Sequence, residues 1–134
     1  MRWSFALSGI SGTGRPRLEG QTVIAEHFDH ALTLTTAADT YLRIETPFST
    51  TRADGSAQLW TPGSVAEGWH DDLGFVGLTI IRSEIDETGA LRLGLADQTW
   101  LRAGPDEQFE AWSLTNADGS RIICSPGGEL VTFS

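Results

Sequence analysis

Two imidazoles and a carboxylate stand within four residues at His27, Asp29 and His30, and all three are side chains that bind zinc or nickel. On a strand, His27 and His30 point to opposite faces, so only a turn at Asp29 can bring them together. The three residues are therefore weak candidates for a metal site. We expect a structural turn with an exposed histidine here, and no cofactor.

A further histidine stands beside two carboxylates, at His70, Asp71 and Asp72, where a predicted helix ends. A catalytic His–Asp pair needs a nucleophile, and the sequence has neither a nucleophile-elbow pattern nor an active-site cysteine motif. Carboxylates at the end of a helix also oppose its dipole, which indicates a surface used for another purpose. We therefore expect solvated charges rather than a catalytic pair.

Other acids are grouped in the second half of the chain and could form a paired-carboxylate site. However, they fall at a strand end, in a turn and in a loop, where nothing local would desolvate them enough to raise a pKa. Acids flanked by Trp100 and Trp112 are typical of an interface that receives arginine or lysine from a partner. The candidate partner-binding residues are Glu84, Asp86, Glu87, Asp106, Glu107, Glu110, Asp71 and Asp72.

The chain has 134 residues and a formal net charge of -9, so we expect one domain with a substantial core. The charge is uneven, because residues 61–134 hold four arginines against twelve acids. Such a field repels phosphate backbones and anionic membrane surfaces, and it speeds the encounter with a basic protein. We therefore expect a protein partner, and neither nucleic acid nor membrane.

The apolar run from Trp3 to Leu7 is too short for the core of a signal peptide, and no segment approaches transmembrane length. The single cysteine, Cys124, has no partner for an internal disulfide and stands in a predicted strand. We expect a buried, inert thiol at that position. A cytoplasmic site of action is the simplest inference.

Short apolar alternations separated by glycine, proline and Asp-Gly turns are typical of antiparallel strands and predict a mainly β protein. One short connecting helix is predicted near 64–73, where Ser64 and Glu67 have capping-box spacing and Gly74 can end the helix. Residues 8–17 are predicted to be loop-like. The predicted strands lie at about 22–28, 32–36, 40–45, 78–86, 90–96, 99–103, 110–116, 120–125 and 129–133.

The second half of the chain repeats the order of the first, with one change of spacing that fits a longer loop around Pro105 to Gln108. We therefore predict an internally duplicated antiparallel β-meander, with copies at about 22–63 and 79–128, in a single domain spanning 1–134. It would fold as a sandwich or a partly open barrel. The matches displaced by 59 are Leu32 with Leu91, Leu34 with Leu93 and Tyr41-Leu42-Arg43 with Trp100-Leu101-Arg102, and those displaced by 64 are 53–56 with 117–120 and 62–63 with 126–127.

The end of the chain resembles an uncharacterised family of small, acidic, β-rich actinobacterial proteins. The resemblance rests on Glu110-Ala111-Trp112, Asp118-Gly119 and Pro126-Gly127-Gly128-Glu129, and it extends over about 18–133. No activity is established for that family, so the resemblance implies no catalytic residues. The strand–Trp–strand ending is also similar to that of immunity proteins of bacterial toxin systems.

Three functions follow as expectations. The first is a non-enzymatic cytoplasmic binding protein, most specifically an immunity protein that neutralises a basic toxin domain through its acidic second half. The alternative is a small-molecule-binding β-barrel with a cavity lined by Trp60, Trp100, Trp112 and Arg121. The third is a metal-dependent enzyme built on the two histidines around Asp29.

Overall fold

A computed structural model describes residues 5–6, 18–63 and 73–133, with only the backbone for 5–6. Two six-stranded antiparallel sheets pack face to face as a sandwich, so the fold is mainly β and the barrel alternative is not the one adopted. The strands are β1 (Phe5–Ala6), β2 (Val23–Phe28), β3 (Leu32–Thr36), β4 (Tyr41–Ile44), β5 (Phe48–Thr51), β6 (Ala57–Trp60), β7 (Ile80–Ile85), β8 (Leu91–Leu95), β9 (Trp100–Ala103), β10 (Trp112–Thr115), β11 (Arg121–Cys124) and β12 (Leu130–Phe133).

The two halves of the chain exchange hairpins between the sheets. The first sheet has the order β1-β7-β8-β9-β5-β6, and the second has the order β12-β11-β10-β4-β3-β2. The β5–β6 hairpin of the first half therefore extends the β7–β8–β9 meander of the second half. In the other sheet, the β10–β11 hairpin of the second half extends the β2–β3–β4 meander of the first half. Phe48 lies opposite Ala103, just as Trp112 lies opposite Ile44. The displacements of 59 and 64 thus describe the pairing as well as the sequence, as a duplication predicts.

Local irregularities repeat between the halves too. The register of β2 shifts between Val23 and Ala25, and that of β7 shifts between Ile80 and Arg82, which is the same bulge displaced by 57. The loop between β4 and β5 has three residues, whereas the loop between β9 and β10 has eight, at residues 104–111. This longer loop accounts for the change of displacement from 59 to 64.

The core lies between the sheets because alternate residues of each strand are apolar and face inward. Phe28 of the second sheet packs edge-on against Phe48 and Trp60 of the first, with ring centroids 5.7 and 6.0 Å apart. Each such aromatic contact contributes about 0.5–1.5 kcal/mol beyond the burial of its area. Trp112 is the largest of the fully buried side chains.

Neighbouring segments lie along the free side of β2 and, next to β1, along the side of β7 that does not pair with β8. Gly20 N donates to Ile80 O at 2.7 Å, and Val23 N donates to Leu78 O at 2.9 Å. The Glu26 carboxylate also accepts a hydrogen bond from Phe75 N at 3.0 Å. Most of the predicted helix, residues 64–72, lies outside the described residues, and residues 73–78 form no helix. Within the described part of the chain, no helix is long and apolar enough to cross a membrane.

Candidate functional site

Three connections meet at one end of the sandwich, which we call the acidic end. They are the β7–β8 turn (86–90), the β9–β10 loop (104–111) and the β11–β12 turn (125–129). Gly127 N of the last turn donates to Asp106 O of the loop at 2.8 Å. The carboxylates brought to this end are those of Asp86, Glu87, Asp106, Glu107, Glu110 and Glu129.

Two glycines allow the turns to pack backbone against backbone. Gly89 has a φ of 93° and Gly128 a φ of 95°, a region that other residues rarely adopt. A Cβ on Gly128 would lie 2.2 Å from Thr88 O, and one on Gly89 would lie 2.4 Å from Gly128 O. Both positions therefore require glycine twice over, because of their backbone conformation and because of the contact itself.

Two buried side chains contact the β7–β8 turn from the core side. Trp112 Nε1 donates a hydrogen bond to Gly89 O at 3.0 Å, and Cys124 Sγ lies 3.4 Å from the same oxygen. Both side chains are buried, so the Gly89 carbonyl is satisfied inside the protein. The position of the turn is thus fixed by β10 and β11 of the opposite sheet.

A cleft of about 330 Å³ opens between the two turns, and we call it the acidic cleft. Its lining residues are Asp86, Glu87, Gly89, Gly128, Glu129 and Leu130. The side chains of Glu87 and Glu129 are exposed to solvent. They are the lining carboxylates best placed to meet a ligand.

Asp86 shapes the cleft more than it offers a charge to a ligand. Its Oδ1 accepts hydrogen bonds from Thr88 N at 2.8 Å and from Ala90 N at 3.1 Å. Partial burial acts to raise the pKa of Asp86, but the hydrogen bond from the Thr88 hydroxyl, the two backbone hydrogen bonds and the charge of Arg102 outweigh it and lower the pKa. The carboxylate therefore stays ionised and holds the turn in shape.

The eight-residue loop adds both charge and apolar surface to the acidic end. Asp106 Oδ1 accepts hydrogen bonds from Gln108 N at 2.8 Å and Phe109 N at 3.0 Å, which fixes the loop locally. Glu107 and Glu110 are exposed, and the Phe109 side chain is 64% exposed. An exposed aromatic ring among carboxylates is a surface that a partner protein can cover.

Other predicted partner-binding residues lie elsewhere. Glu84 lies on the outer face of the first sheet, where its carboxylate meets Arg92 Nη1 at 3.1 Å and Arg82 Nη2 at 3.5 Å. Asp71 and Asp72 lie outside the described residues. Glu129, which the sequence analysis placed at the start of the last predicted strand and not among the partner-binding residues, lines the cleft.

The four residues predicted to line a ligand cavity do not surround one space. Trp112 and Trp60 face the core, and Trp60 Nε1 donates to Thr50 Oγ1 at 3.0 Å. Trp100 lies on the outer face of the first sheet, across Gly94 and under the Arg92 guanidinium at 4.6 Å. Arg121 is exposed on the second sheet. In this structure the four side chains do not line one cavity, because Trp100 and Arg121 lie on outer faces whereas Trp60 and Trp112 face the core between the sheets.

Asp29 and His30 lie in the β2–β3 turn, and His27 lies just before it in β2. His27 Nε2 lies 2.9 Å from Asp29 Oδ2, and Asp29 Oδ1 accepts the backbone N–H of His30. These hydrogen bonds, with the His27 one first, outweigh a small desolvation and lower the pKa of Asp29. Among the described residues, no three histidine, cysteine or acidic side chains are grouped so that they could hold a metal ion.

The histidine turn and the acidic cleft occupy equivalent places in the two halves. Asp29 and Asp86 are displaced by 57, like the bulges of the strands that precede them. Gly63 N donates to Asp29 O at 2.8 Å, so a Pro-Gly turn approaches the β2–β3 turn as well. The second half differs by its longer turn and its additional carboxylates, and only this half carries the acidic cleft.

Cys124 offers a chemical test of this geometry. Burial raises the pKa of its thiol to about 11, so almost no thiolate forms at pH 8. We expect a disulfide reagent such as DTNB to react with the native protein at least about a hundredfold more slowly than with the urea-unfolded protein. Reaction of the native thiol at the unfolded rate would show that β11 and the β7–β8 turn separate readily.

A family model described as a family of unknown function (DUF6188) matches residues 15–134. This range fits the uncharacterised family that the end of the sequence resembles. No curated protein and no solved structure gives a significant match to the chain.

Proposed function

This chain belongs to the DUF6188 family of unknown function, and we propose that it is a non-enzymatic protein that binds a basic protein partner through the acidic end. The observation that carries the proposal is the convergence of six carboxylates at the acidic end, three of which line the cleft. Among the described residues, the guanidinium that pairs with one of these carboxylates is that of Arg102, 4.0 Å from Asp86. The described part of the chain therefore leaves most of this negative charge uncompensated.

Exposure of these carboxylates determines what they contribute. Exposed charges are strongly screened by salt and add little affinity each, but together they accelerate the encounter with a basic surface. The exposed ring of Phe109 and the cleft supply the short-range contact that an interface centre needs. Electrostatic attraction followed by apolar docking is the mode of binding that this combination favours.

The specific form of the proposal is that of an immunity protein. Such a protein covers a toxin's basic substrate-binding surface and so blocks it, without chemistry of its own. The similarity of the strand–Trp–strand ending to immunity proteins, and the resemblance of about residues 18–133 to a family of actinobacterial proteins, support this form. The proposal includes a cytoplasmic site of action.

The test compares two triple variants of equal charge. The first, Glu87→Gln with Glu107→Gln and Glu129→Gln, neutralises exposed acids at the acidic end. The control, Asp39→Asn with Asp54→Asn and Asp97→Asn, neutralises turn residues at the other end of the strands. Asparagine retains the oxygen through which Asp54 and Asp97 accept their turn hydrogen bonds, and it tolerates the positive φ of position 39. Glu84 and Asp86 are left intact because they hold an ion-pair cluster and a turn.

Tagged wild-type and variant proteins are used for affinity capture from the native host at low and high salt. We expect one stoichiometric protein on the wild type and on the control, with association at low salt at least about tenfold slower for the acidic-end variant. The captured protein should arrest bacterial growth when expressed alone, and co-expression of this chain should restore growth. Equal capture by both variants, or a captured protein without toxicity, would refute the acidic end or the immunity role respectively.

A further inference from the structure

β12 is the outermost strand of the second sheet, and no described residue pairs with its free side. Ser125 N donates to Glu129 O at 2.8 Å, so residues 125 and 129 form a hydrogen-bonded pair of the antiparallel β11–β12 hairpin. Since hydrogen-bonded pairs alternate along antiparallel strands, Val131 and Phe133 bond to β11. The N–H and C=O groups of Leu130 and Thr132 therefore point outward, away from the sheet.

The side chains of β12 leave this edge open to pairing. Val131 is 37% exposed and Phe133 is 51% exposed, and both lie on the outer face of the sheet. β12 itself contains no charge, no proline and no bulge, which are the usual features that protect an edge strand. β2, at the opposite edge of the same sheet, differs, since residues 75–78 lie along its free side. β12 is thus a template for an additional strand.

The acidic cleft lies at the beginning of β12. Leu130, the first residue of the strand, lines the cleft together with Glu129 immediately before it. A chain that paired along β12 would pass this cleft at one of its ends. A lysine or arginine at that point of the added chain would meet Glu87 and Glu129, whereas an acidic residue would be repelled.

We propose that an extended segment of a protein partner adds to β12 as a new edge strand and places a basic side chain in the acidic cleft. Backbone groups of Leu130 and Thr132 supply the pairing, and Val131 and Phe133 contact alternate side chains of the added strand. This inference rests on the proposed function and deepens it, because it specifies the conformation and charge of the partner segment.

Thr132→Pro tests the pairing selectively. Proline removes the outward N–H of residue 132, while the bonds from β11 to residues 131 and 133 remain, and proline is tolerated on edge strands. Thr132→Val is the matched control, since it keeps the N–H. The probe is a phage library of random nine-residue peptides, selected on the whole wild-type chain. Circular dichroism and thermal unfolding check that each variant is folded.

We expect the selected peptides to alternate β-branched or aromatic residues with polar ones and to carry arginine or lysine near one end. They should bind Thr132→Pro at least about tenfold more weakly than the wild type and Thr132→Val equally well. N-methylation of alternate peptide residues should abolish binding without any change to the protein. Selection of no peptides, selection of peptides without basic residues, or equal binding to Thr132→Pro would overturn the inference.

Two further results separate this inference from the proposed function. If the Glu87, Glu107 and Glu129 triple variant loses the peptides but Thr132→Pro keeps them, the acidic end binds and strand addition is wrong. If Thr132→Pro loses them and the triple variant does not, strand addition stands and recognition by the acidic end fails. Sedimentation that shows a dimer of the wild type, but not of Thr132→Pro, would identify a second copy of the chain as the occupant and overturn the inference.

Discussion

Replacing Gly128 with alanine should lower the free energy of unfolding by at least about 4 kcal/mol, a loss of the size seen for severe backbone strain. The new Cβ would lie 2.2 Å from Thr88 O and 3.3 Å from Pro105 Cβ, and neither neighbour is the far end of a flexible side chain. The turns that form the acidic cleft would have to separate. Urea unfolding, followed by fluorescence and circular dichroism, measures the loss.

Gly127 provides the matched control in the same turn. It also has a positive φ, 85°, but a Cβ there would meet nothing within 4 Å. Gly127→Ala should therefore cost only the strain of the left-handed conformation, about 1–2 kcal/mol. The difference between the two variants isolates the backbone contact between the turns. Equal losses would mean that the turns are not in contact in solution.

The duplicated β-meander could be predicted from the sequence because its evidence is local. Turn residues such as Asp54-Gly55 and Asp118-Gly119 specify hairpins, and strand alternation specifies which side chains are buried. Which strand pairs with which across the two halves is not local. Pairing of β4 with β10, and of β9 with β5, depends on how the two meanders pack, so sandwich and barrel could not be separated.

The candidate site shows the same limit. Sequence grouping found the acids of the β7–β8 turn and the β9–β10 loop, because they are consecutive in the chain. It did not find that Gly89 and Gly128 touch, a contact that helps to place Glu129 and Glu87 on the same cleft. In a sequence, a glycine in a hairpin turn is explained by the positive φ of the turn alone. The contact between two such turns appears only in three dimensions.

Equivalent positions also carry different residues in the two halves, so the sequence comparison does not show which side chains fill the same part of the core. Phe48 and Trp112 begin equivalent strands, and their cross-strand partners are Trp60 and Cys124 respectively. The tryptophan therefore lies on the second strand of the pair in the first half, as Trp60 of β6, and on the first strand of the pair in the second half, as Trp112 of β10. Because each pair places its tryptophan on a different strand, a comparison of single positions does not show which residues fill equivalent space.

Trp112→Phe should lower the free energy of unfolding by about 2–3 kcal/mol. Phenylalanine leaves a cavity beneath the β7–β8 turn and removes the N–H that binds Gly89 O, so that Cys124 Sγ is the remaining side-chain contact of this oxygen. Trp100→Phe is the matched control, since Trp100 lies on the outer face and contacts Arg92.

The control should lose less than about 1 kcal/mol, the range of an exposed cation–π contact. The two variants also separate stability from binding. Because Trp112 supports the acidic cleft, Trp112→Phe should weaken capture of the partner as well as lower the urea midpoint, whereas Trp100→Phe should change neither by much. Similar losses of stability in both variants would mean that the indole hydrogen bond to Gly89 does not hold the cleft.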